Sequence, residues 1–215
     1  MLKIWGRANS INVQKAMWAV GELELPHERI DVGGKFGGLD DPGYLAMNPN
    51  ALIPTIDDGG AVVWESNAVV RYLAAKYGEG SLWSADPAVR ARADQWMDWM
   101  QTKLNPQFIG LFVGLVRTPP DDRDWPAIEA VTGRLIECYR FLDRRLESRP
   151  YLAGDEFTMA DIPAGVTLFR YYDMEIERPD LARLRDWYER LSARPAYRTH
   201  VMVSYDDLRG RPSEY

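Results

Sequence analysis

Glu65 and Ser66 are neighbours at the point where the apolar period of the chain changes from two to 3.6. Residues 61–65 alternate like a strand, whereas Ala68, Val69, Tyr72, Leu73 and Lys76 recur as one helix face with a polar end. The pair therefore falls at a strand-to-helix junction, with Ser66 placed as the helix N-cap. An acidic side chain beside the unpaired N–H groups of a helix start can hold the amine and the carboxylate of one small ligand. Just upstream, Pro54 stands in a second strand-like run, residues 53–57. Proline has no N–H for a ladder, so this run is expected at a sheet edge or bulge, where neighbouring backbone groups stay free for a ligand. Asp58-Gly59-Gly60 joins the two runs as a hairpin, because glycine tolerates the positive φ of a tight reversal.

A third candidate group lies in the turn GRANSIN, residues 6–12. Residues 2–5 read as a strand, and Val13, Ala16, Met17, Val20 and Leu23 recur at the spacing of an amphipathic helix. Ser10 and Asn12 then fall at the first turn, where free N–H groups favour an anion. On this reading alone Ser10 is an N-cap. Residues 28–32 alternate into another strand, which makes a strand-helix-strand unit with a right-handed crossover. With the hairpin and its helix the order is βαβ then ββα.

Ile53-Pro54 followed by Glu65-Ser66 and a helix resembles the glutathione site of the glutathione transferase family, and the element order is that of its thioredoxin-like domain. The resemblance implies that the Ile53-Pro54 bond is cis, that the Ile53 backbone pairs with the cysteinyl part of glutathione, and that Glu65 and Ser66 hold its γ-glutamyl amine and carboxylate. Ser10-Ile11-Asn12-Val13-Gln14-Lys15 is similar to the Ser-x-Asn-x-x-Arg run of the phi-like and theta-like classes, with Lys15 in place of the usual arginine. There the serine hydroxyl donates to the glutathione thiolate, so Ser10 is the implied catalytic residue and Asn12 the alternative. Lys35 lies where relatives place a basic residue against the glycine carboxylate. Its surroundings, Gly33-Gly34-Lys35-Phe36-Gly37-Gly38, match no phosphate-loop order. Asn48-Pro49-Asn50 resembles the family's turn ahead of the Ile-Pro segment, with Asn50 a turn former.

The elements that position these groups divide the chain into a thioredoxin-like domain, 1–78, a linker, 79–85, an all-helical domain, 86–203, and a polar tail, 204–215. Asp86-Pro87 opens the second domain as an N-cap and N1 proline. Ala93, Trp96, Met97, Met100 and Leu104 form one stripe, which Asn105-Pro106 is expected to disturb. Met97, Gln101 and Phe108 are candidates to line a hydrophobic substrate pocket, against the alternative that such stripes are core. Ile128, Val131, Leu135, Cys138, Leu142 and Leu146 share one face of a long helix, so that Cys138 reads as a core or half-buried thiol. Phe157-Thr158-Met159-Ala160-Asp161-Ile162 combines a capping box, Thr158 with Asp161, and a staple, Phe157 with Ile162. It resembles the capping box of the transferase helical domain and is structural. Leu181, Leu184, Trp187, Tyr188 and Leu191 form the last amphipathic helix, closed by Pro195.

Composition narrows the function classes. Eight Trp and 46% apolar residues in 215 exclude a disordered chain. Residues 1–80 carry 7 basic and 10 acidic side chains and the remainder 19 and 22, so neither half offers a basic footprint for nucleic acid or an anionic membrane. No apolar run reaches a membrane span, which makes a cytoplasmic protein the expectation. One Cys and two His give no disulfide and no Cys/His zinc cluster. The expected activity is transfer of glutathione, as co-substrate without a metal, to a hydrophobic electrophile. Alternatives are a non-catalytic glutathione-binding or interaction module and a glutathione-dependent disulfide reductase or peroxidase. The resemblance also implies a homodimer.

Overall fold

The structure is a computed structural model, and it describes residues 1–211; residues 212–215 of the expected tail lie outside the described residues. The chain forms two compact units, Met1–Ala85 with Arg194–Val203, and Asp86–Ala193 with the segment from Ser204 onward.

In the first unit β1 (Leu2–Trp5), α1 (Ile11–Glu22), β2 (His27–Ile30), α2 (Pro42–Met47), β3 (Thr55–Asp58), β4 (Ala61–Trp64) and α3 (Ser66–Tyr77) follow in order. The sheet order is β2-β1-β3-β4. β1 and β2 are parallel, as a strand-helix-strand crossover requires, while β3 pairs antiparallel with β1 and β4. Ile4 and Ile56 oppose each other across the register and are fully buried. This is the expected thioredoxin-like order with one addition. α2 is only six residues long, too short to show a 3.6 period. Its trace in the sequence is Asp41-Pro42: Asp41 accepts from Gly43 N at 2.7 Å, and the proline occupies the first turn.

The structure corrects the hairpin at two points. β3 is an internal strand, paired on both sides, and Pro54 precedes it, so the missing N–H falls outside the ladder instead of at a sheet edge. α3 begins at Ser66 itself, and Glu65 occupies the N-cap position.

α1 packs against α3 and against a helix from far along the chain, α10 (Pro195–His200). Trp18 meets Tyr197 edge-on with ring centroids 4.7 Å apart, and Arg194 donates to both carboxylate oxygens of Glu22 at 2.8 and 2.6 Å. Residues 194–203, expected in the helical domain, therefore belong with the first unit.

The second unit contains α4 (Pro87–Trp99), α5 (Asn105–Phe112), α6 (Trp125–Arg145), α7 (Asp161–Gly165), α8 (Leu168–Asp173) and α9 (Ala182–Ser192). Asp86 and Asp124 cap α4 and α6, accepting from Ala88 N at 2.7 Å and Ala127 N at 3.0 Å. Pro106 does not end the first helix. A π turn, Met100–Leu104, carries the helical path from α4 into α5, and a second, Val113–Arg117, follows; the wider turn accommodates the missing N–H. Asp161 is fully buried and accepts from Leu152 N, Thr158 N and Trp187 Nε1 at 2.9, 3.1 and 3.2 Å. It thus ties a loop, the start of α7 and the α9 tryptophan together. Residues 204–211 pack with this unit: Gly210 N donates to Val116 O at 2.9 Å.

Candidate functional site

Ser10 is the N-cap residue of α1, with extended backbone at φ −82° and ψ 124°, and its side chain makes no capping hydrogen bond. The backbone around it is satisfied without the hydroxyl: Ser10 N donates to Arg7 O at 3.1 Å, and Ser10 O accepts from Gln14 N at 2.9 Å. The residue is buried at 9% exposure. A hydroxyl at a helix N-terminus that is not spent on the cap can donate to an anion there.

Asn12, in the first turn of α1, is brought to Ser66 by the packing of α1 on α3. Ser66 Oγ donates to Asn12 Oδ1 at 3.3 Å, across 54 residues of sequence. Behind them lies a group that sequence reasoning did not assign to the site. Lys15 is fully buried, and its Nζ donates to Ser66 Oγ at 3.4 Å. Burial pulls the Lys15 pKa down to about 8, against the opposing attraction of Glu65. In the sequence Lys15 showed only as a cation replacing arginine. Because α1 is covered by both α3 and α10, its polar face is enclosed, and the spacing of its residues does not reveal that its one cation is inside.

Glu65 is exposed at the β4–α3 junction with φ 70° and ψ 112°. A non-glycine residue in that region costs of order 1–3 kcal/mol, which the junction holds in place. The helix N-terminus and an acidic side chain therefore share one turn, as the sequence pattern requires.

The Ile53-Pro54 bond is cis, and both residues are buried. The segment ahead of it is braced by Asn48 and Tyr44. Asn48 Nδ2 donates to Leu52 O at 2.8 Å and Thr55 Oγ1 at 3.1 Å, and Tyr44 Oη donates to Leu52 O at 2.6 Å. Asn50 is a turn former, its N donating to Asn48 Oδ1 at 3.1 Å. Lys35 is exposed on the turn Gly34–Phe36, its ammonium 5.3 Å from the Phe36 ring centroid.

The pocket candidates separate. Met97 and Phe108 are fully buried in the second unit, so they are core and present no surface to a small molecule; Gln101 is exposed on the π turn. Apolar stripes at this spacing are more often core than pocket wall, and helix packing makes Met97 and Phe108 core here. Among the described residues no group of His, Cys, Asp and Glu is arranged to hold a metal ion, and no helix is long and apolar enough to cross a membrane. Cys138 is half-buried, and burial raises its thiol pKa.

Residues 9–76 match the family model described as glutathione S-transferase, N-terminal domain, and residues 126–190 match the C-terminal domain model. The chain is 42% identical over 205 residues to glutathione S-transferase GstB of Escherichia coli, covering 94% of this chain and 99% of the relative. The chain belongs to the glutathione S-transferase family. Among solved structures, it is similar to the theta class glutathione S-transferase of Xanthomonas axonopodis pv. citri with glutathione bound, at 47% identity and a TM-score of 0.91, covering 94% of this chain and 98% of that one. A glutathione transferase of Bombyx mori is similar at 27% identity and a TM-score of 0.86, covering 96% and 95%. Within this family the two units correspond to the transferase domains, and Ser10, Asn12, Ile53, Pro54, Glu65 and Ser66 all lie within the matched N-terminal segment.

Proposed function

We propose that the chain is a glutathione transferase in which Ser10 activates the thiol of glutathione for attack on a hydrophobic electrophile. The observation that carries this reading is the Ser10 hydroxyl, buried at the N-terminus of α1 and making no cap bond. Glutathione binds with its γ-glutamyl end at Glu65 and Ser66, its cysteinyl backbone against Ile53 ahead of Pro54, and its glycine carboxylate toward Lys35. A relative 47% identical has been crystallised with glutathione bound, which supports the ligand.

A free thiol has a pKa of about 8.5, and lowering it by about 2 units takes roughly 2.7 kcal/mol of preferential thiolate stabilisation. One charge-assisted hydrogen bond, about 1.5–3 kcal/mol, with a helix N-terminus, about 0.3–1 kcal/mol, is of that size. The thiol proton leaves to solvent; the thiolate then forms a carbon–sulfur bond as the leaving group departs with its electron pair. Asn12 is the second candidate for this role. Its Oδ1 is engaged by Ser66, which leaves its amide NH2 as the group that donates.

Retention on immobilised glutathione, followed by turnover with an aryl halide, an organic peroxide and a mixed disulfide, tests the reading. Turnover of the aryl halide is expected; retention with no turnover of any substrate would assign a binding module instead. The protein is also proposed to be a cytoplasmic homodimer. Light scattering at micromolar concentration is expected to give the mass of two chains, and the mass of one would refute the dimer.

A further inference from the structure

Lys15 stands out because its charge is enclosed and thinly compensated. An ammonium has three donors, yet the Lys15 Nζ has one hydrogen bond, to Ser66 Oγ at 3.4 Å, and no ion-pair partner among the described residues. Burying a cation this way costs several kcal/mol unless an opposite charge offsets it. Glu65 is the neighbouring charge that acts on it, but Glu65 is exposed, and burial outweighs its attraction. The position of the missing charge follows from Ser66. It is the first residue of the 12-residue helix α3, where unpaired N–H groups already favour an anion. Lys15 lies one hydrogen bond behind that terminus.

We infer that Lys15 is a positioning residue for the carboxylate bound at the start of α3, a ligand anion that completes the charge pair which the chain alone leaves open. The same hydrogen bonds run on from Ser66 Oγ to Asn12 Oδ1. Lys15 therefore orients both Ser66 and Asn12, and links the carboxylate end of the ligand to the turn that carries Ser10. The inference rests on the glutathione reading above and adds to it the residue that sets the charge of the site.

The other charged groups around α1 do not substitute for that anion. On α3, Arg71 and Lys76 are cations further along the helix, and Lys76 is held by Asp58 at 2.7 Å. On α10, Arg194 is paired with Glu22, and His200 faces His27 with ring centroids 6.3 Å apart. Glu22 and the His200 neighbour Gly21 lie roughly 9–10 Å beyond Lys15 along α1.

S-methylglutathione is the probe, since it keeps the carboxylate and amine but has no thiol to titrate. Its affinity is measured by calorimetry from pH 6.5 to 9.5 for the wild type, Lys15→Met and Lys15→Arg. Near pH 6.5 Lys15 is charged, and Lys15→Met is expected to bind about tenfold more weakly. Above pH 8 the unliganded wild type loses that charge, so the two affinities converge. Lys15→Arg, charged throughout, matches the wild type at pH 6.5 and binds more tightly than the wild type above pH 8. Titration of the ligand's amine is common to all three proteins and cancels in the ratios. Equal affinities, or a ratio that does not change with pH, would make Lys15 a packing residue and overturn the inference while leaving the glutathione site intact. Failure of the wild type to bind the probe would overturn the glutathione reading and this inference together. If Lys15→Met does not fold, Lys15→Arg decides: a ratio of its affinity to that of the wild type that does not rise above pH 8 overturns the proposal.

Discussion

Replacing Ser10 by Ala separates catalysis from folding at this site, because the hydroxyl contributes no cap to α1. A serine cap usually contributes about 1 kcal/mol, so Ser10→Ala is expected to unfold at nearly the wild-type urea midpoint. The bound thiol is a different matter. Losing a charge-assisted hydrogen bond of roughly 1.5–3 kcal/mol raises its pKa by about 1–2 units. If the wild-type complex ionises near 6.5, half of its glutathione is thiolate at pH 6.5. The variant, ionising at about 7.5–8.5, would hold roughly 1–9% as thiolate, a loss of about 5–50-fold. Thiolate absorbance of the saturated protein against pH reads this directly, and turnover of an aryl halide at pH 6.5 should fall in parallel while glutathione affinity changes little. Asn12→Ala is the paired variant, since Ser66 already occupies its Oδ1. A wild-type titration in Ser10→Ala with a displaced one in Asn12→Ala would refute the role of Ser10 and move it to Asn12.

Glu65→Ala is expected to weaken glutathione binding with little change in thiol pKa on the saturated protein, because its partner is an amine remote from sulfur; unchanged affinity in a binding titration would remove Glu65 from the site. Asp161→Ala leaves Leu152 N, Thr158 N and Trp187 Nε1 without their buried acceptor, so urea unfolding should show a loss of about 3–5 kcal/mol, and a loss below about 1 kcal/mol would contradict the network. Lys15 gives the unliganded protein a stability that depends on alkaline pH. Its pKa is about 8 folded and 10.5 as the ordinary value, so between these the unfolded chain binds more protons and stability rises with pH. The stability of the wild type relative to Lys15→Met should thus improve by about 3 kcal/mol from pH 8 to pH 10.5, read from urea midpoints; a flat difference would mean that burial does not lower the Lys15 pKa and that the buried ammonium keeps its charge over this range.

Features set by neighbouring residues were legible in the chain before any tertiary contact was known. Residues 2–5 and the alternation of 61–65 marked β1 and β4, the 3.6 period set α1, α3 and α6, and Asp86-Pro87 marked the start of α4, whereas the short α2 was not read. The order of these elements with Ile53-Pro54, Glu65-Ser66 and Ser10 carried the resemblance to the family, and the turns themselves were readable because turn chemistry depends on neighbouring residues. Tertiary structure decided what depends on distant partners. Pro54 could be positioned against the sheet only once β1 was seen to pair with β3. α10 joined the first unit through Tyr197 on Trp18 and Arg194 on Glu22, contacts that no local period encodes. Met97 and Phe108 share an apolar stripe, but whether such a stripe faces a cavity or a neighbouring helix is set by the partner surface. Lys15 is the clearest case. A lysine in a helix is ordinarily a solvated charge, and only the covering of α1 by α3 and α10 encloses this one and sets its ammonium behind Ser66.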